Sequence, residues 1–126
     1  MAESSTTYHE ALEKLSSTTQ DMHRALVSLQ EELEAVDWYQ QRAEACTDEV
    51  LKAILLHNMR EEVEHAAMVL EWLRRHSADF DRHLHTYLFQ DRPIVEIEEK
   101  DTSPAARPRT TSGSRPPLTV GTLKGE

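Results

Sequence analysis

The sequence predicts an all-α protein: an antiparallel hairpin of two long helices followed by a short C-terminal helix. Three observations lead there. Apolar residues recur at heptad spacing from Leu15 to Leu73. A single short break at Cys46-Thr47-Asp48 divides that pattern, and two helices joined by so short a connection must run antiparallel. Glycine is scarce, with 3 in 126 residues, while charged residues make up 29%, a balance that suits helices better than sheet.

Residues 1–8 show no periodicity and read as a disordered N-terminus, so the helical domain is placed at residues 9–99. The first helix is expected to begin between His9 and Thr19 and to run to about Cys46. Leu15, Met22, Leu29, Val36 and Ala43 form one line along it, with Ala25, Glu32, Tyr39 and Cys46 on the next. Leu26 and Leu33 widen the stripe. Glu32 therefore stands where the pattern asks for a hydrophobe. Thr47-Asp48 offers an N-cap and Glu49 a negative charge in the first turn of the second helix, which runs to about His76. Around Glu62 on its wheel fall Leu51, Leu55, Ala66, Val69 and Leu73, with Met59 and Leu70 at the edge. Ser77 to Phe89 predicts a short third helix capped by Ser77, with Asp79 and Asp81 in its first turn and Leu84, Tyr87 and Leu88 on its apolar side. Pro93 interrupts it, and Ile94 to Lys100 adds another turn or two. Residues 100–117 turn to Pro, Ser, Thr and Arg and read as a disordered linker. Residues 118–126 form a small apolar motif at the end of that tether.

Charge narrows the function classes. The net charge is −9, yet residues 101–126 hold a balance of +2, which leaves about −11 on the first hundred residues. So acidic a body has nothing to neutralise nucleic-acid phosphates, but it draws cations. Cys46 is the only cysteine, so no internal disulfide is available, in keeping with a reducing compartment. The N-terminus has neither a basic start nor an apolar core, and no apolar run approaches the length of a membrane span. The expectation is a soluble, cytoplasmic protein without membrane or nucleic-acid partners.

The chemistry centres on Glu62-x-x-His65. On a helix this spacing puts a carboxylate and an imidazole on one face, one turn apart. A carboxylate amid an apolar stripe is costly unless its charge is compensated, and a cation is the simplest compensation. Glu32 lies about fourteen residues before the turn and Glu62 about as far after it. At a rise of roughly 1.5 Å per residue the two carboxylates come level. Carboxylate-bridged di-iron sites in four-helix bundles take a Glu from each of two helices and a Glu-x-x-His from each of the other two. This chain supplies half of that set, and a two-fold homodimer would supply the rest. Carboxylate with imidazole suits iron or manganese, held at the roughly 4 Å spacing of two-metal sites.

Other groups carry two readings each. His57, Glu61 and Glu64 share a second face of the second helix and form either an outer metal site or a solvated charged face. Glu31 and Glu34 flank Glu32 and either gather cations or solubilise the helix. Tyr39 follows Glu32 by one heptad, so its hydroxyl either reaches the metal site or sits at the bundle edge. Trp38 reads as packing or interface, Trp72 as core and Cys46 as packing. His23, His76, His83 and His85 match no ligand pattern.

Several blocks together resemble the encapsulated ferritins: Glu31-Glu-Leu-Glu-Ala-Val-Asp-Trp-Tyr39, His57-Asn58, Glu61-Glu-Val-Glu-His65, Glu71-Trp-Leu-Arg-Arg75 and Thr86-Tyr-Leu-Phe89. The similarity covers roughly residues 9–99. It implies hairpins that dimerise into a ferritin-like four-helix bundle, with dimers assembling into a decameric ring. It also implies a ferroxidase that oxidises Fe(II) to Fe(III) with dioxygen, two irons being held per dimer by paired Glu32, Glu62 and His65, with Tyr39 beside them. Glu31 and Glu34 then correspond to the entrance site, open to calcium or other divalent cations, and His57, Glu61 and Glu64 to an outer site. Leu118-Thr-Val-Gly-Thr-Leu123 is similar to the peptide that loads such proteins into encapsulin shells, although Lys124-Gly-Glu126 departs from it. The implied location is the cytoplasm, inside an encapsulin nanocompartment. A chain this small has no cavity of its own for mineral, and a shell would provide one. The rival readings are a non-enzymatic helical adaptor that recruits partners through its tail, and a di-iron enzyme that consumes peroxide or acts on an organic substrate.

Overall fold

The computed structural model describes residues 7–101. The expected linker beyond residue 101 and the terminal Leu118–Leu123 motif lie outside the described residues, as do residues 1–6. The order of elements is a 3-10 turn at Leu12–Lys14, then α1 (Ser17–Ala45), α2 (Glu49–His76), α3 (Ala78–Tyr87) and α4 (Ile94–Asp101). Among the described residues the protein is all helical, as the periodicity predicts.

Each helix end has a local cause. Ser16 caps α1, its Oγ accepting from the Thr19 N–H at 3.1 Å, which satisfies one of the unpaired donors of the first turn. At the other end Cys46 and Thr47 leave helical geometry, and Asp48 opens α2 by accepting from the Leu51 N–H at 2.9 Å. Arg74, Arg75 and His76 occupy the last turn of α2, where positive charge meets the negative end of the helix dipole. Ser77 Oγ accepts from the Phe80 N–H at 3.2 Å, the cap expected for α3. That helix stops at Tyr87, short of the expected Phe89. Phe89 has φ 61°, the left-handed conformation that ends helices and that a bulky side chain adopts only at a cost of about 1 kcal/mol.

The hairpin is built by α1 lying against α2. Its seam contains the buried residues Ala43, Ala66 and Leu73, all three on the stripes predicted from the heptads. The remaining stripe residues, among them Met22, Leu29, Val36, Leu55 and Val69, are only half-buried. Leu51 is exposed rather than within the stripe, and Leu33, Trp38, Ile54, Val63 and Met68 also face solvent. Two helices offer each other one seam, so a hairpin leaves the flanks of both stripes uncovered.

The chain divides into two compact units, one reaching Leu84 and the other beginning at His85. In the second, α4 starts after Pro93, whose carbonyl accepts from the N–H groups of Glu96 and Ile97 at 3.0 and 3.3 Å. Among the described residues no helix is long and apolar enough to cross a membrane.

Candidate metal centre

The antiparallel register decides which side chains can meet. α1 delivers Glu32 from its middle and α2 delivers Glu62 and His65 from its own. Glu62 Oε1 lies 3.3 Å from His65 Nδ1, and Glu32 Oε1 approaches the same nitrogen at 3.6 Å. One ligand atom from each of the three residues lies within 4.8 Å of the others, close enough to share one ion. This is the only such group of three or more His, Cys, Asp or Glu among the described residues. The carboxylates are about three-quarters covered, with side-chain exposures of 26% for Glu32 and 23% for Glu62, while His65 stands at 44%. One side of the group therefore opens away from the hairpin.

The electrostatics are those of a site short of positive charge. Hydrogen bonding with Glu62 raises the carboxyl of Glu32 above the ordinary range, helped by burial and by the neighbouring charge. The same hydrogen bond lowers Glu62, with His65 adding to the effect. Two carboxylates this close share a proton more readily than they both ionise. For His65, burial acts to lower the pKa, but the hydrogen bond with Glu62 and the charges of Glu32, Glu62 and Glu61 outweigh it and raise it. Two carboxylates beside one imidazole are left with negative charge that a divalent cation would compensate. The donor set, two carboxylates and one imidazole from a single hairpin, fits iron or manganese.

Other candidate residues are distributed around this group. Glu31 and Glu34 are exposed on α1, on either side of Glu32. Tyr39 is half-buried and carries the guanidinium of Arg42 5.4 Å from its ring centroid, a partner that the heptad pattern does not disclose. The face of His57, Glu61 and Glu64 is exposed and does not gather as one cluster. Glu61 Oε2 lies 3.8 Å from His57 Nε2, while its other oxygen lies 4.0 Å from His65 Nε2. Periodic spacing links Glu61 to His57, but the link to His65 follows as readily from the same i, i+4 rule.

Contacts outside the centre involve histidines that match no ligand pattern. Tyr8 stacks on His23 with centroids 4.0 Å apart, and Trp72 stacks on His76 at 3.9 Å. Near the end of α2, Arg74 pairs twice with Glu71 at 2.9 Å and also with Asp81 of α3.

Comparisons with known proteins agree with this picture. Residues 7–91 match the EncFtn-like family. A Rhodospirillum rubrum protein named encapsulated ferritin-like protein is 54% identical over an alignment covering 100% of this chain and 94% of the relative. A Thermotoga maritima protein named ferritin-like protein is 55% identical over 74% of this chain and 82% of its own. The crystal structure of a Nitrosomonas europaea protein superposes with a TM-score of 0.68 at 60% identity, covering 69% of this chain and 96% of that one. The hairpin, the capped turn and the carboxylate–imidazole group are therefore features of a chain that belongs to the EncFtn-like family.

Proposed function

We propose that the protein is a ferroxidase whose centre is shared between two hairpins and whose product is stored inside an encapsulin shell. The observation that carries this reading is the convergence of Glu32, Glu62 and His65 within 4.8 Å on a group that opens away from its own chain. Three donors leave an iron under-coordinated. A second copy, turned by a two-fold axis onto the open side of the group, where Leu51 lies exposed in line with Glu62, completes the set and covers apolar surface at the same time. The dimers then assemble into a decameric ring.

The substrate is Fe(II). Glu31 and Glu34 attract it and pass it inward from the entrance site, where calcium or another divalent cation also binds. The exposed face of His57, Glu61 and Glu64 retains metal only loosely near the surface, since the three side chains do not gather as one cluster. At the centre the carboxylates of Glu32 and Glu62 and Nδ1 of His65 supply the donors that hold the iron. Two Fe(II) ions give one electron each to dioxygen, which takes two protons and leaves as hydrogen peroxide. Tyr39 stands two helical turns beyond Glu32, on the side of α1 toward Cys46, and shapes the end of the site. The protein contributes placement and charge, and the metal contributes the redox chemistry.

Fe(III) needs a container, and the tail is its link to one. We read residues 118–126 as the shell-docking segment, tethered by residues 100–117 to the helical domain at 9–99, so that the working location is a nanocompartment in the cytoplasm. The alignment with the relative named as encapsulated runs along 100% of this chain, whereas that with the relative named only ferritin-like covers 74%.

The test is to add Fe(II) in air and to follow absorbance and oligomer size together. Changes at groups that merely support a metal ligand cost about 10–100-fold, so Glu32→Ala and His65→Ala should slow oxidation by more than about 100-fold while the protein stays helical. Wild-type rates in both variants would refute the centre. Deleting residues 118–126 should leave oxidation intact and prevent co-purification with the shell protein.

A further inference from the structure

Glu61 faces two imidazoles, one through each oxygen. Its Oε2 is directed at His57 and its Oε1 at Nε2 of His65. The opposite nitrogen of His65, Nδ1, is the one turned toward Glu32 and Glu62. The two ring nitrogens of His65 thus face two separate acidic groups, Glu32 and Glu62 inside and Glu61 outside.

A neutral imidazole that binds metal through Nδ1 carries its proton on Nε2. That Nε2–H requires an acceptor, and metal-binding histidines usually find one in a carboxylate that fixes both tautomer and ring orientation. At 4.0 Å the distance is about 1 Å beyond a hydrogen bond. Glu61 is exposed on the next turn of the same helix, so rotation of its own side chain closes the gap without moving the backbone.

We infer that Glu61 is a positioning residue for His65: it accepts the Nε2–H and so holds the tautomer and ring angle that present Nδ1 to the metal. This rests on the reading of Glu32, Glu62 and His65 as the metal centre. It gives Glu61 a task distinct from ligating metal beside His57, and it joins the outer face of α2 to the centre through one ring.

The experiment uses the full-length protein and Co(II) as probe, with two readouts. Calorimetric titration measures the tight site. The hyperfine-shifted, solvent-exchangeable ring N–H resonance of Co(II)-bound His65 reports the hydrogen bond at Nε2. In Glu61→Ala the tight-site affinity should fall by about 10–100-fold and the N–H resonance should broaden away through exchange with water. Glu61→Gln retains an accepting oxygen and should recover the resonance and most of the affinity. Circular dichroism should show unchanged helix in both variants. An unchanged tight site and an unchanged N–H signal in Glu61→Ala, with only a weak site lost, would overturn the inference and make Glu61 a ligand of the outer site alone. Failure of Glu32→Ala to weaken tight Co(II) binding would overturn the metal centre itself, and the role of Glu61 with it. The two failures are told apart by which variant is silent.

Discussion

Glu32 and Glu71 belong to the same hairpin, and both lie in hydrogen-bonding clusters, yet their carboxyls shift in opposite directions. Arg74, with its paired hydrogen bonds, and then Arg75 pull Glu71 from an ordinary 4.5 to about 2. Hydrogen bonding with a second carboxyl pushes Glu32 up. The cluster of Glu71, Arg74, Arg75 and Asp81 balances its own charge and ties α2 to α3. The cluster of Glu32, Glu62 and His65 cannot balance its charge from within the hairpin. The first cluster serves the fold and needs nothing more. The second is left short of positive charge, and the difference marks the candidate metal centre where composition alone does not.

The largest effect that would sharpen this contrast concerns metal. A ligand that binds only the folded state adds about 2.7 kcal/mol at a concentration one hundred times its Kd. Thermal melting with saturating Mn(II) should therefore rise by several degrees in the wild type and not at all in Glu62→Ala. Arg74→Ala should keep the full metal-induced rise, because its cluster does not hold the ion. An equal loss of the metal effect in both variants would erase the distinction between the clusters.

The second effect runs the other way. Arg74→Ala removes the paired bonds to Glu71 and the link to Asp81, while Arg75 still reaches Glu71 at 2.7 Å. Arg74 and Glu71 are partly exposed, at 32% and 42% of their side chains, so solvent screening limits the loss to about 1 kcal/mol. The metal-free protein should melt a few degrees lower with unchanged aerobic iron oxidation. A variant that melts like the wild type would show the cluster to be an ornament of the surface.

Acid provides a third, smaller separation. Because the folded-state pKa of Glu71 lies below its ordinary value, its contribution to stability is complete above about pH 4.5 and fades as pH falls toward 2. The stability difference between wild type and Glu71→Gln should close across that window. Glu32 has the opposite sign: it takes up a proton more readily than an ordinary glutamate, so acidification should first cost metal affinity and only later helix structure. Following Mn(II) binding and far-UV circular dichroism over one pH series separates the two.

These clusters also mark how far the sequence alone could be read. The hairpin was legible because Leu15 to Ala43 and Leu55 to Leu73 keep strict helical period and Asp48 announces the second helix. Glu32 and Glu62 stood out as charges inside apolar stripes, and the turn set their common level. The Arg74–Asp81 link was not legible, since it depends on the direction α3 takes after Ser77, which no periodicity records. The end of α3 falls two residues earlier than expected for a similar reason: Phe89 is apolar, but its backbone turns left-handed. Spacing places Glu61 with His57 and Glu64 on one face, whereas side-chain direction pairs it with His65 as well. Spacing gives a face of a helix, and a face still leaves open which neighbour a long side chain chooses.

The smallest predicted effect is the most direct comparison of the two clusters. Replacing a glutamate by glutamine keeps the shape of the side chain and removes its charge. At position 71 this takes away the carboxylate that two arginines hold, so Glu71→Gln should melt below wild type at pH 7. At position 32 the same replacement removes one of two competing carboxyls and gives Glu62 an amide donor in its place. Metal-free Glu32→Gln should therefore melt at or slightly above wild type, while binding Mn(II) far more weakly. Opposite signs from one chemical change in one hairpin would mean that Glu32 is retained at the expense of the empty fold. A fall in melting temperature at both positions would mean that the imidazolium of His65 already balances Glu32 and Glu62, leaving the centre no more in want of a cation than the corner at Arg74.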